Sequence, residues 1–98
     1  MYAITFDMDT SRTEDLYPGQ SWKNSYTEIR RILDRHGFDW QQGSVYFGGE
    51  GVSAVTCVLA IQDVARQLDW FGPSVRDVRM LRIEEINDLG PAVGAPAG

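Results

Sequence analysis

The sequence predicts a ferredoxin-like α+β domain, βαββαβ, with two helices on one face of an antiparallel sheet. Three observations predict it. Residues 2–9 alternate between large apolar and small or polar side chains. Residues 22–36 and 52–68 carry apolar stripes at helical spacing. Residues 38–47 and 75–84 are rich in β-favouring side chains.

In the first segment, Tyr2 to Asp9, the large apolar face is Tyr2, Ile4, Phe6 and Met8. Ala3, Thr5, Asp7 and Asp9 form the other face, as in a half-buried strand. Residues 10–20, with Ser11, Pro18 and Gly19, read as a loop. Ser21 suits the N-cap of a helix from Trp22 to about His36, whose stripe is Trp22, Tyr26, Ile29 and Leu33. Gly37 stands where a left-handed residue ends a helix.

Phe38 and Trp40 then suggest a short strand, Gly43 interrupts it, and Ser44 to Phe47 suggest another. One bent strand and a tight hairpin both fit. Gly48, Gly49 and Gly51 form a flexible connection to a second helix, Val52 to Leu68, which Trp70 to Pro73 terminate.

The last strand, Val75 to Glu84, has Val75, Leu81 and Ile83 on one face and Val78 and Met80 on the other. A strand apolar on both faces is usually covered on both. Two helices cover one, so a second subunit is expected over the other. Residues 1–89 thus form one domain, and the Gly/Ala/Pro tail 90–98 is expected to be disordered.

Composition bounds the function. The chain has 98 residues, enough for one core, with 43% hydrophobic and 23% charged residues. A net charge of −5 argues against nonspecific coating of nucleic acid. Arg76, Arg79 and Arg82, and separately Arg30 and Arg31, still allow a local site for RNA. The lone Cys57 and lone His36 exclude an intrachain disulfide and a Cys/His zinc site. No apolar run is long enough to span a bilayer, and no basic leader opens the sequence, so a cytoplasmic location without membrane attachment is expected.

The leading chemical candidate is Asp7, a carboxylate on the face turned away from the helices. It must be solvated, paired, or engaged with a metal or substrate. In a twofold dimer packed through that face, two Asp7 carboxylates approach, and such a pair either shares a proton or binds a hard cation such as Mg²⁺. Asp9 shares the face in parity, but Asp9-Thr10-Ser11 reads as a turn start. Arg76 and Arg79 suit phosphate through the guanidinium fork, or else form a ladder with Asp77, Glu84 or Glu85. Tyr46, Ser44 and Trp40 suit base stacking and RNA contact, or else packing. His36 complements a helix C-terminus. Phosphate-binding glycine loops, nucleophile elbows and HExxH motifs are absent from the sequence.

Three blocks give the chain a family likeness. They are Met1-Tyr2-Ala3-Ile4-Thr5-Phe6-Asp7-Met8; Gly37-Phe38 with Gln42-Gly43-Ser44-Val45-Tyr46; and Trp70-Phe71 with Ser74-Val75-Arg76-Asp77-Val78-Arg79, Arg82-Ile83-Glu84 and Asn87-Asp88. In order and spacing they resemble the virulence-associated protein D (VapD) family up to about Leu89. The resemblance implies a ferredoxin-like homodimer akin to the small CRISPR-associated endonuclease. It also implies endoribonuclease activity on single-stranded RNA, in some members as a toxin with a protein antitoxin. The family's strand-end catalytic aspartate falls on Asp7. The alternative is a non-catalytic nucleic-acid-binding or structural dimer of the same fold.

Overall fold

A computed structural model describes residues 1–94 of the chain. The strand β1 (Tyr2–Met8) lies inside a four-stranded antiparallel sheet with β2 (Phe38–Gln42), β3 (Val45–Gly48) and β4 (Val75–Arg82), in the order β2-β3-β1-β4. This is the expected ferredoxin-like order. Ile4 sits between Tyr46 of β3 and Met80 of β4. Ala3, on the opposite face, is buried because its partners in register are the large Phe47 and Leu81.

The apolar face of β1 builds the core. Ile4, Phe6 and Met8 meet Ile29 and Leu33 of helix α2 (Asn24–Arg35) and Cys57, Ala60 and Val64 of helix α3 (Ala54–Gln67). Each such large side chain contributes roughly 1.5–3 kcal/mol by leaving water. Phe71 of the short helix α4 (Phe71–Ser74) closes the end of the core, edge-on to Phe6. Among the described residues, no helix is long and apolar enough to cross a membrane.

Several boundaries differ from expectation. Residues 10–16, expected in a loop, form helix α1 (Thr10–Leu16). Asp9 caps it, its carboxylate accepting from the Arg12 N–H at 3.1 Å. Only Thr13 is buried in this helix, so no apolar stripe could announce it. Ser21 is not the N-cap of α2. Its carbonyl accepts from Asn24 N–H in a preceding turn, and Lys23 holds the cap position without a side-chain bond. Helix α3 starts two residues late, at a capping box in which Ser53 and Thr56 satisfy each other's N–H groups. The two middle strands form a tight hairpin, with Gly43 at φ +50° in its turn.

The last strand ends at Arg82 rather than Glu84, and it carries a bulge. Asp7 pairs with Asp77 but Met8 pairs with Val75, which makes Arg76 the extra residue. Val75 therefore packs on the core and not on the face of Leu81. Both faces of β4 are apolar, but neither is covered within the chain: Val78, Met80 and Leu81 are all exposed. Gly90–Val93 form one 3-10 turn. The rest of the expected tail, 95–98, lies outside the described residues.

His36 does more than complement a helix dipole. At the end of α2 its Nε2 lies 2.8 Å from Asp63 of α3, clamping the two helices. Asp63 also accepts from Gln67 at 2.9 Å and from Arg66. These bonds, Gln67's foremost, hold its carboxyl well below the usual carboxylate range.

Two predictions follow from these contacts. Gly37 has φ +89°, and a Cβ there would lie 3.3 Å from Val52. Gly37→Ala is expected to cost about 1–2 kcal/mol in urea denaturation. Because folding depresses the pKa of Asp63, the unfolded chain binds more protons as the pH falls. The stability advantage over Asp63→Asn is expected to be full at neutral pH and to shrink as the pH drops below about 4. Thermal melts of both proteins from acid to neutral pH check the sign.

Candidate active site at the end of the central strand

The site follows from the register of β1. With Ile4 and Phe6 held in the core, parity turns Asp7 out on the open face, where it is exposed. Its partner across the strand pair is Asp77, on the same face. Arg79, two residues further along β4, sits opposite Thr5 and also shares the face. The Nε of Arg79 donates to both Asp77 oxygens, at 2.9 and 3.1 Å. Asp77 is thus neutralised, whereas Asp7 joins no ion pair among the described residues.

Asp9 is a different kind of residue. It caps α1 and lies 3.6 Å from Arg76. The Arg12 N–H, and then the Arg76 charge, hold its carboxyl below the ordinary range. Arg76, re-aimed by the bulge, belongs to this anchor rather than to the Asp7 cluster. Arg82 pairs with Glu84 at 2.9 Å. Every arginine of β4 therefore has a carboxylate partner, the ladder that the sequence left as an alternative.

Tyr46 corrects an expectation. It is 2% exposed, on the helix side of β3, and its ring stacks on Phe6 at 5.9 Å. The ring is unavailable to a base, and burial pushes the hydroxyl pKa up to about 12. Ser44 lies at the hairpin turn, where its carbonyl accepts from Phe6 N–H at 3.2 Å. Trp40 is 44% exposed and open to solvent. Sequence reading missed Tyr26. Tyr26 lines one cleft with Ser44, whose carbonyl accepts from Phe6 N–H, which sets the start of α2 near the Asp7 end of the sheet. Burial first, and then the charge of Asp7, raise the Tyr26 hydroxyl pKa. No spacing in the sequence links residues 7 and 26; only the fold does.

Comparison with known proteins gives the family. The family model for CRISPR associated protein Cas2 matches residues 1–88. A Riemerella anatipestifer protein named endoribonuclease VapD 2 is 52% identical over 93 residues, 95% of this chain and 99% of that protein. The chain belongs to the VapD branch of the Cas2 family. A Helicobacter pylori protein named endoribonuclease VapD homolog is also 52% identical, covering 95% of this chain and 96% of its own. Endoribonuclease VapD of Dichelobacter nodosus is 38% identical over 89 residues, 91% of this chain and 92% of its own. The family recognised in the three sequence blocks is confirmed.

The free carboxylate of Asp7 fits a cation such as Mg²⁺, which takes one or two carboxylates and keeps several waters, and Asp77 would join only by leaving Arg79. Among the described residues, no group of three or more His, Cys, Asp or Glu side chains gathers. Within one chain the pair would therefore be an open, water-rich ligand set.

Like charges opposite each other in a sheet destabilise it. Arg79 offsets part of that repulsion at Asp77, so Asp7→Asn is expected to stabilise the fold only slightly, by less than about 0.5 kcal/mol at low salt. The gain should shrink as added salt screens the pair. Denaturation at low and high ionic strength measures it.

Proposed function

We propose that the chain is an endoribonuclease that cleaves single-stranded RNA as a homodimer, with Asp7 as its catalytic residue. The observation that carries this reading is the exposed, unpaired carboxylate of Asp7, held beside Asp77 and Arg79 on the open face of the sheet. The names of relatives 52% identical over nearly the whole chain support the activity.

In this reading Asp7 takes the proton of the attacking water or 2′-hydroxyl; as that oxygen bonds to phosphorus, the bond to the leaving ribose oxygen breaks and this oxygen takes a proton from solvent water. The phosphate exchanges with Asp77 for the Nε and remaining donors of Arg79, a planar fork suited to phosphate oxygens. Arg76 binds a phosphate only by leaving Asp9, so its part is secondary. A divalent ion held by Asp7 and Asp77 would supply charge neutralisation at the phosphate. The homodimer packs through the open face, where Leu81 is exposed and Val45 and Phe47 are half-buried. A twofold axis there brings two Asp7 ends into one groove. A toxin role adds one requirement, a protein antitoxin that covers this groove, and relief of growth arrest on co-expression tests it.

Labelled single-stranded RNA, with Mg²⁺ and with EDTA, tests the chemistry. Asp7→Asn is expected to lower cleavage by roughly 100-fold or more without loss of folding. Cleavage undiminished in that variant would remove Asp7 from the mechanism. RNA binding without cleavage by the native protein would favour the non-catalytic clamp. In sizing chromatography the native protein is expected to elute as a dimer, and Leu81→Glu as a monomer. A native monomer at micromolar concentration would overturn the packing.

A further inference from the structure

A second site lies on the helix side of the hairpin. A cleft of about 390 Å³ is lined by Tyr26, Thr27 and Arg30 of α2 and by Trp40, Ser44 and Tyr46 of the hairpin. That volume falls in the range of about 300–1,000 Å³ typical of small-molecule sites. We propose that this cleft is a nucleotide subsite, which stacks one unpaired RNA base by Trp40 and holds its phosphate on Arg30. The proposal rests on the ribonuclease reading for its ligand class, but not on the chemistry at Asp7.

Three features point to this ligand. Trp40 stands on an edge strand, and its ring is fixed where it is: the indole N–H donates to the Gly43 carbonyl at 2.9 Å. The β2 register skips Gln41 at this place, and such a bulge re-aims the neighbouring side chain. A large aromatic held rigid and half open offers a stacking platform, on which a base takes the place of, or adds to, the guanidinium already over it.

Arg30 lies over that platform, its guanidinium carbon 4.7 Å from the ring centroid. Among the described residues, it has no carboxylate partner, unlike Arg66, Arg76, Arg79 and Arg82. A guanidinium plane stacks on a base as readily as on an indole, and its edge donors suit phosphate. A second depression of about 340 Å³ continues past Thr27 and Arg30 to Arg31 and Asp34. Arg31, also outside the ion pairs, gives the strand a cationic path, and Asp34 is the opposing charge on it.

The third feature is position. The cleft shares Ser44 with the turn that hydrogen-bonds to Phe6, the residue before Asp7. It shares Tyr26 with the group that feels the Asp7 charge. The hydroxyls of Ser44, Thr27 and Tyr26 can read base edges or the 2′-hydroxyl. The cleft and Asp7 lie on opposite faces at the same end of the sheet, so a strand seated here reaches Asp7 around the hairpin turn.

The Trp40 indole N–H signal in a ¹⁵N spectrum, assigned with Trp40→Phe, reads the site directly. The probes are AMP, UMP, adenosine and inorganic phosphate, on the full chain. AMP and UMP are expected to move the Trp40 signal and leave that of the core residue Trp70 in place. Arg30→Gln is expected to weaken AMP by about tenfold and adenosine little, with Arg35→Gln as the unchanged control. No movement of the Trp40 signal with millimolar nucleotide overturns the subsite. Equal effects of phosphate alone and AMP overturn the base pocket. A poly-glutamate peptide that competes as well as AMP overturns the nucleotide assignment in favour of an acidic protein partner.

Kinetics separate this proposal from the nuclease reading. Trp40→Ala is expected to raise KM for RNA about tenfold with kcat little changed. Asp7→Asn should keep its affinity for AMP. Cleavage with an unchanged KM in Trp40→Ala sinks the subsite and leaves the nuclease. AMP binding at Trp40 in a native protein that cuts no RNA does the reverse.

Discussion

The constraint on which the structure depends is the register of β1, paired on both sides and packed on one face. Ile4, Phe6 and Met8 are buried against α2 and α3. A slip of one residue would move all three into solvent and drive Asp7 into the core. An unpaired carboxylate in an apolar interior is far more costly than the loss of a single apolar contact. The core therefore fixes where Asp7 points, and the exposed acid is a consequence of hydrophobic packing three residues long.

The last strand works in the opposite way. As an edge strand exposed on both faces, it contributes little to the core beyond Val75. What it contributes is charge in register. Asp77 falls opposite Asp7, and Arg79 neutralises Asp77 rather than Asp7. The bulge at Arg76 then splits the arginines, sending one to the α1 cap and leaving one on the open face. An edge that looks irregular in hydropathy is the strand that differentiates two neighbouring acids.

The order of elements was legible because period two and period 3.6 are strong where one face is buried. β1, α2 and α3 meet that condition. Helix α1 does not: seven residues with only Thr13 buried carry no stripe, and its Ser and Thr residues also favour turns. Asp7 was legible by parity. Its partner Asp77 was not, since the sequence carries no signal for which residues of β1 and β4 stand opposite each other. Tyr46 misled because an aromatic in a short strand near arginines looks the same whether it faces the core or a ligand. The half that lies open is Trp40, its direct partner in the β2–β3 ladder.

The charge balance explains why two separated sites make physical sense. The chain carries −5 overall, and the Asp7 end holds two carboxylates, of which Arg79 neutralises one; in the proposed reading a phosphate arrives there. At roughly 8–10 Å of screening length, that repulsion is local. It can be offset by cations placed to one side, provided they are not already neutralised. The β4 arginines are paired, while among the described residues Arg30 and Arg31 on α2 are not. In the proposed reading, the strand is held first by its base and phosphate at Trp40 and Arg30, on the far side of the hairpin turn. Only a phosphate already anchored there has reason to approach Asp7. Affinity and chemistry then sit on different elements, each free to be tuned without disturbing the register that holds them together.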